Sequence, residues 1–178
     1  NDAIPVVVKE RELSHVLATL GQRPGLVICD SQVVLKVAGD VPKDIPMTTF
    51  SMLFSRYKGD FAEYIRGVKA IDRLNDGDKI LILEACTHHA QPDDIGRVKI
   101  PRWLRQYTGK NLVFEVNSGP YVQKRLADYK LILSCGACMV NRKEMLARSH
   151  DARAMKVPIT NYGVAISYVQ GVLDRTLS

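Results

Sequence analysis

Leu131-Ile132-Leu133-Ser134-Cys135-Gly136-Ala137-Cys138 is the stretch that decides the fold. Its first three residues form a continuous apolar run, the pattern of a strand buried on both faces, and the run opens into a C-x-x-C pair. The same pattern occurs upstream, where Ile80-Leu81-Ile82-Leu83 opens into Glu84-Ala85-Cys86-Thr87-His88-His89. Three of the four cysteines and two of the four histidines thus fall just beyond strand ends. In open α/β sheets ligands bind at the carboxyl ends of strands. Thiolate and imidazole gathered there point to a soft metal or an iron–sulfur cluster.

Working outward, the second half alternates strand and helix. The pattern predicts a strand over 79–84, a helix around Arg102 to Tyr107 stopped by Gly109, and a strand over 111–116. A helix near 121–128, the Leu131 strand and a helix from Arg142 to about His150 follow. Val157-Pro158-Ile159-Thr160 reads as an edge strand, because Pro158 cannot donate to a ladder. A closing helix carries Val164, Ile166, Val169 and Leu173 on its apolar positions. Four such units imply a parallel sheet, which places Cys86, Cys135 and the Asn161-Tyr162-Gly163 turn along one edge.

The first half reads as a smaller unit of the same kind. Strands are expected at Val6-Val7-Val8, Leu26 to Cys29 and Met47 to Thr49. Helices are expected over Leu13 to Leu20, over Val33 to Ala38 (where the valines make a strand the competing reading), from Ser51 to Lys58, and from an Asp60 cap through Phe61, Tyr64, Ile65, Val68 and Ile71. Asn75-Asp76-Gly77-Asp78 is a strong turn signal and sets the domain boundary, 1–75 and 76–178. The expected architecture is therefore α/β, two successive small domains, each a parallel sheet flanked by helices.

The bulk composition fits a soluble, cytoplasmic protein: 178 residues, 46% hydrophobic and 25% charged. No apolar run approaches the ~20 residues that span a bilayer, so no membrane partner is expected. The formal charge of +6 is scattered and not interleaved with aromatics, which argues against nucleic acid. Arg97, Lys99, Arg102, Arg105 and Lys110 read plainly as a solvated helix face, and more sharply as a cationic collar near Cys86. There is no phosphate-binding loop ending in Gly-Lys-Ser/Thr and no G-x-G-x-x-G. The first residues, without a methionine, read as the start of a piece of something longer.

Four cysteines in a cytosolic chain suit metal or thiol chemistry better than a disulfide framework. Cys29, ending the run Leu26-Val27-Ile28, reads as a small buried hydrophobe. Cys86, His88, Cys135 and Cys138 would make a tetrahedral zinc site or hold a cluster through three thiolates and one weaker ligand. Cys135 and Cys138 alone could form a redox pair. Spacing leaves these three open. His15 and His150 read as structural; His89 competes with His88, only one of the adjacent pair being expected to ligate. Glu84 reads as a strand-end surface charge whose carboxylate could reach the site, and Trp103 and Tyr162 as packing residues.

Longer motifs narrow the choice. Glu84 to His89, Asp94-Ile95-Gly96-Arg97-Val98-Lys99-Ile100-Pro101-Arg102-Trp103-Leu104, Cys135 to Met139, and Pro158 to Tyr168 together resemble the HydF family of GTP-binding [FeFe]-hydrogenase maturation factors. Phe54-Ser55-Arg56-Tyr57-Lys58-Gly59-Asp60 resembles the family's middle domain. The resemblance implies a homodimerisation domain over 1–75 and a cluster-binding domain over 76–178. The family's GTP-binding domain, and with it GTPase activity, is not expected in this chain. It further implies a [4Fe–4S] cluster on Cys86, Cys135 and Cys138, with His88, another group or exogenous solvent at the fourth iron. Cys86, His88, Cys135 and Cys138 stand at the matching positions of the family's C-x-H and H-C-x-x-C motifs. A transient diiron precursor would be the cargo, with the hydrogenase apoprotein and radical SAM maturases as partners. Ser134 stands where the family usually has a second histidine, which argues against an imidazole ligand at this position.

Overall fold

The computed structural model describes residues 3–85, 94–119, 124–136 and 140–177. The chain forms two parallel sheets flanked by helices. The first sheet pairs β1 (Val27–Cys29) with β2 (Met47–Thr49), Cys29 lying opposite Thr49. Around it stand α1 (Leu13–Thr19), α2 (Val34–Asp40) and α3 (Phe50–Lys58). The second sheet has the order β4-β3-β5-β6, all parallel. Its strands are β3 (Lys79–Glu84), β4 (Val113–Ser118), β5 (Leu131–Ser134) and β6 (Ile159–Asn161).

The two central strands are those with unbroken apolar runs. Ile80, Leu81, Ile82, Leu131, Ile132 and Leu133 are fully buried. Each such side chain contributes about 1.5–3 kcal/mol of burial. β6 is the edge strand that Pro158 predicts, and α4 (Phe61–Val68) covers it. The approach is close: a Cβ on Gly67 would lie 2.0 Å from the Ile159 carbonyl oxygen, so only glycine fits between helix and strand.

Side-chain caps fix the helix starts. Thr49, Asp60, Asn141 and Asn161 each accept a backbone N–H two or three residues inside α3, α4, α6 (Arg142–Ala154) and α7 (Tyr162–Val169). At the other end, α5 (Ile100–Thr108) stops on Gly109 with φ of 66°, the left-handed terminator. Preceding α5 is one turn of π-helix, Ile95–Lys99, which the sequence did not reveal.

Three expectations are corrected. Val6-Val7-Val8 is not a strand: Val6 is 57% and Val7 92% exposed, with no neighbouring ladder to join. Branched residues favour strands only where a pleated surface receives them. No α-helix occupies the described part of 121–128, where Leu126–Asp128 is a single 3₁₀ turn. The closing helix is two, α7 and α8 (Leu173–Thr176), broken at Gly171 with φ of 71°.

The last residues return to the first sheet. Thr48 Oγ1 donates to the Thr176 carbonyl (3.0 Å), and Arg56 Nη2 donates to the Leu177 carbonyl (2.7 Å). Arg142 likewise reaches the carbonyl of Tyr57, at 2.7 Å. Among the described residues no helix is long and apolar enough to cross a membrane.

Candidate metal centre

The parallel register brings four chemically distinct strand ends to one edge. Glu84 lies opposite Ser118, Leu83 opposite Ser134, and Ser134 opposite Asn161. Cys135 is the first residue past β5, and its backbone N–H still bonds the Leu83 carbonyl at 2.9 Å. That bond holds the half-buried thiol at the end of β3. There its Sγ accepts the backbone N–H of Ala85 at 3.2 Å. An N–H aimed at sulfur stabilises thiolate over thiol, as a metal ligand requires.

Cys86, His88 and Cys138, the other three expected ligands, lie outside the described residues, as does His89. Among the described residues no three of His, Cys, Asp and Glu converge on a common point. Cys86 directly follows Ala85 in the chain, so the strand end that reaches Cys135 is the one leading into Cys86. Ser134 is fully buried, and its hydroxyl turns toward the Cys135 carbonyl at 3.5 Å. Cys29 is buried in the first domain, its thiol pushed up to about 11 by burial and by the neighbouring Asp30 charge. It is an inert core residue, as expected. His15 and His150 are exposed, on α1 and α6 respectively.

Glu84 is more than a surface charge, its side chain being only 14% exposed. Arg97 grips it with both arms of its fork, Nε to Oε1 at 3.1 Å and Nη2 to Oε2 at 2.7 Å. Ser118 Oγ donates to the same carboxylate at 2.8 Å. Asp94 caps the π-turn that presents Arg97, accepting the arginine's own N–H at 2.8 Å. Two more of the expected collar are engaged: Lys99 Nζ donates to Gln32 Oε1 (2.8 Å), and Arg105 donates to the Leu112 carbonyl (2.9 Å) while stacking on Phe114. Arg105 thereby sits at the amino end of β4, away from the edge that holds Cys135, and Arg102 stays exposed.

Tyr162 begins α7 beside this edge, and sequence reasoning passed it over as packing. Its hydroxyl is buried and, among the described residues, has no hydrogen-bond partner. An unsatisfied buried donor costs about 1–3 kcal/mol. Burial pushes the phenol well above its ordinary value; the Cys135 thiol and the carboxylates of Glu84 and Asp94 add to the shift, and Arg97 opposes it. The π-turn accommodates the ring at Gly96, where a Cβ would stand 2.3 Å from the hydroxyl oxygen. Opposite, a Cβ on Gly136 would meet Ser51 Oγ at 3.6 Å, so the start of α3 abuts the cysteine loop.

The donor set of this edge fits a thiolate-held group: a sulfur already accepting one N–H, beside a buried hydroxyl that lacks an acceptor among the described residues. By fold and edge the protein is an α/β protein of two parallel sheets with a thiol at the carboxyl end of the larger one. Residues 62–178 match the hydrogen maturase F tetramerization domain, and residues 1–59 match the hydrogen maturase F dimerization domain. The chain belongs to the hydrogen maturase F family, and its domains are oligomer-forming modules of hydrogenase maturation. The tetramerization description adds a level of assembly beyond the expected homodimer. Neither description names a catalytic activity. A comparison with curated proteins gave no match.

Proposed function

We propose that this chain is a scaffold and carrier in assembly of the [FeFe]-hydrogenase active site. Cys86, Cys135 and Cys138 would hold a [4Fe–4S] cluster, with His88 or solvent at the fourth iron. The observation that carries the reading is the Ala85 N–H to Cys135 Sγ bond, because it joins the two strand ends that the cysteine motifs follow. When bound, the cluster supplies an iron with an exchangeable position at which cargo can attach and later leave. The cargo is a diiron precursor, received from radical SAM maturases and delivered to the hydrogenase apoprotein.

This chain's own residues do the rest. The β3 and β5 ends fix one thiolate, the Arg97–Glu84 pair braces the rim, and α7 closes the edge beside it. In our reading 76–178 carries the cluster and 1–75 the dimer contact, with α4 packed against β6 across the two. A reducing cytoplasm suits thiols kept for metal.

Anaerobic reconstitution with iron and sulfide, followed by metal analysis and EPR of the reduced protein, tests this. The expected result is about four irons per chain with a reduced [4Fe–4S] signal, lost in Cys86→Ala, Cys135→Ala and Cys138→Ala. One zinc per chain and no uptake of iron would make the site a structural staple. Thiol–disulfide exchange without metal would make Cys135 and Cys138 a redox pair. Either outcome removes the scaffold reading.

A further inference from the structure

Tyr162 and Cys135 are the first residues beyond two hydrogen-bonded parallel strands, β6 and β5, whose last residues, Asn161 and Ser134, stand in register. The cysteine sulfur already accepts the Ala85 N–H. A phenol keeps its proton at neutral pH and is a good donor. This one has no water to give it to, because its oxygen is buried, and no acceptor among the described residues. A buried polar atom left unsatisfied in a native protein calls for an explanation, and one explanation is a group that is bound only part of the time.

Resting on the scaffold reading above, we propose that Tyr162 is a positioning residue whose hydroxyl donates a hydrogen bond to the sulfur of the group held at Cys135. Ala85 N–H then serves the Cys135 thiolate and Tyr162 O–H a sulfur of the bound group beside it, the two donors being fixed by β3 and α7 respectively. Hydrogen bonds to the sulfurs stabilise the more negative, reduced form and raise its reduction potential. They also slow loss of the group, because dissociation leaves the hydroxyl orphaned again. Gly96 is part of the device: a side chain there would meet the hydroxyl oxygen and displace it.

The test compares Tyr162→Phe with the parent, using Tyr107→Phe as a control, since that tyrosine bonds Asp72 on a different surface. In the metal-free protein Tyr162→Phe is expected to melt at or above the parent's temperature, having lost only an unsatisfied hydroxyl. After reconstitution its reduction potential should be more negative, and a chelator should strip its iron roughly tenfold faster, as for one lost charge-assisted hydrogen bond. Tyr107→Phe should change neither. Gly96→Ala should shift the potential the same way and serves as the second probe if Tyr162→Phe folds poorly. Identical potential and stripping rate in parent and variants would overturn the role of Tyr162 and leave the scaffold reading standing. A parent that takes up no iron and sulfide would overturn both.

Discussion

Ala85 and Cys135 are joined across the carboxyl edge of the sheet by an N–H···S bond of 3.2 Å, although 50 residues separate them in the chain. The bond exists because β3 and β5 are parallel neighbours ending at the same level. Replacing Cys135 by serine keeps a polar acceptor near the N–H and removes the soft ligand. We expect the fold to melt within a few degrees of the parent, since the side chain is only half-buried. Iron retained after reconstitution should fall more than about tenfold. Metal analysis beside a melting curve reads both, and unchanged iron content would remove Cys135 from the site.

The Arg97–Glu84 pair gives a second prediction. Arg97 is 42% exposed and Glu84 14%, so the pair lies between a surface and a buried bridge. Its fork geometry favours it, while solvent screening on the arginine side weakens it. Arg97→Ala should cost about 1 kcal/mol, mainly by taking the bidentate cation from a largely buried carboxylate. Adding Glu84→Ala should restore part of that loss, so a double-mutant cycle in denaturant should give a favourable coupling. Additive costs would mean that the pair contributes nothing.

The sheet was legible because its signal is strong and local. Ile80 to Leu83 and Leu131 to Leu133 can be buried on both faces only in the middle of a parallel sheet, and Pro158 marks the edge. Asp60 and Gly109 mark helix ends through their own backbone chemistry. The Arg97–Glu84 grip depends on a π-turn, whose single extra residue leaves no periodic trace. The orphaned Tyr162 hydroxyl is a fact of burial, invisible in a residue that packs as readily as it binds. Val6-Val7-Val8 misled because strand propensity needs a partner strand to express it, and none pairs with it among the described residues. Of the expected site, the described residues bring together Cys135, Ala85 and the strand ends around them.

A cluster on β4 makes stability depend on acid. Glu115 accepts hydrogen bonds from Lys124 (2.6 Å) and Tyr129 (2.9 Å) and pairs with Lys79. These partners, Lys124 first, lower its carboxyl from 4.5 to about 2. A depressed carboxylate contributes stability above its unfolded value, lost as pH falls through the folded one. Parent and Glu115→Gln should therefore differ most above pH 4.5 and converge as the pH approaches about 2. At the alkaline end, burial and Glu115 push Tyr129 up to about 12, so Tyr129→Phe should flatten the loss of stability between pH 10 and about 12. Urea midpoints across pH measure both; parallel curves for parent and variants would mean the cluster is as screened as an ordinary surface patch.

Asn161 ties the edge of the large sheet to the first domain, and its two ends can be tested apart. Its Oδ1 caps α7 by accepting the Val164 N–H at 2.8 Å. Its Nδ2 donates into α3, to the Ser51 carbonyl at 3.3 Å and to Ser55 Oγ. The side chain is fully buried, so water cannot replace any of these bonds. Asn161→Ala loses the cap, worth about 1 kcal/mol, and strands the α3 acceptors, for a total of roughly 2–3 kcal/mol. Asn161→Asp keeps a cap acceptor but offers α3 a carboxylate where it needs a donor. That substitution should cost at least as much as alanine, although aspartate is as good a cap as asparagine on an isolated helix. If denaturant unfolding instead shows Asn161→Asp near the parent, the cap is the whole contribution of Asn161 and the link to α3 carries no energy.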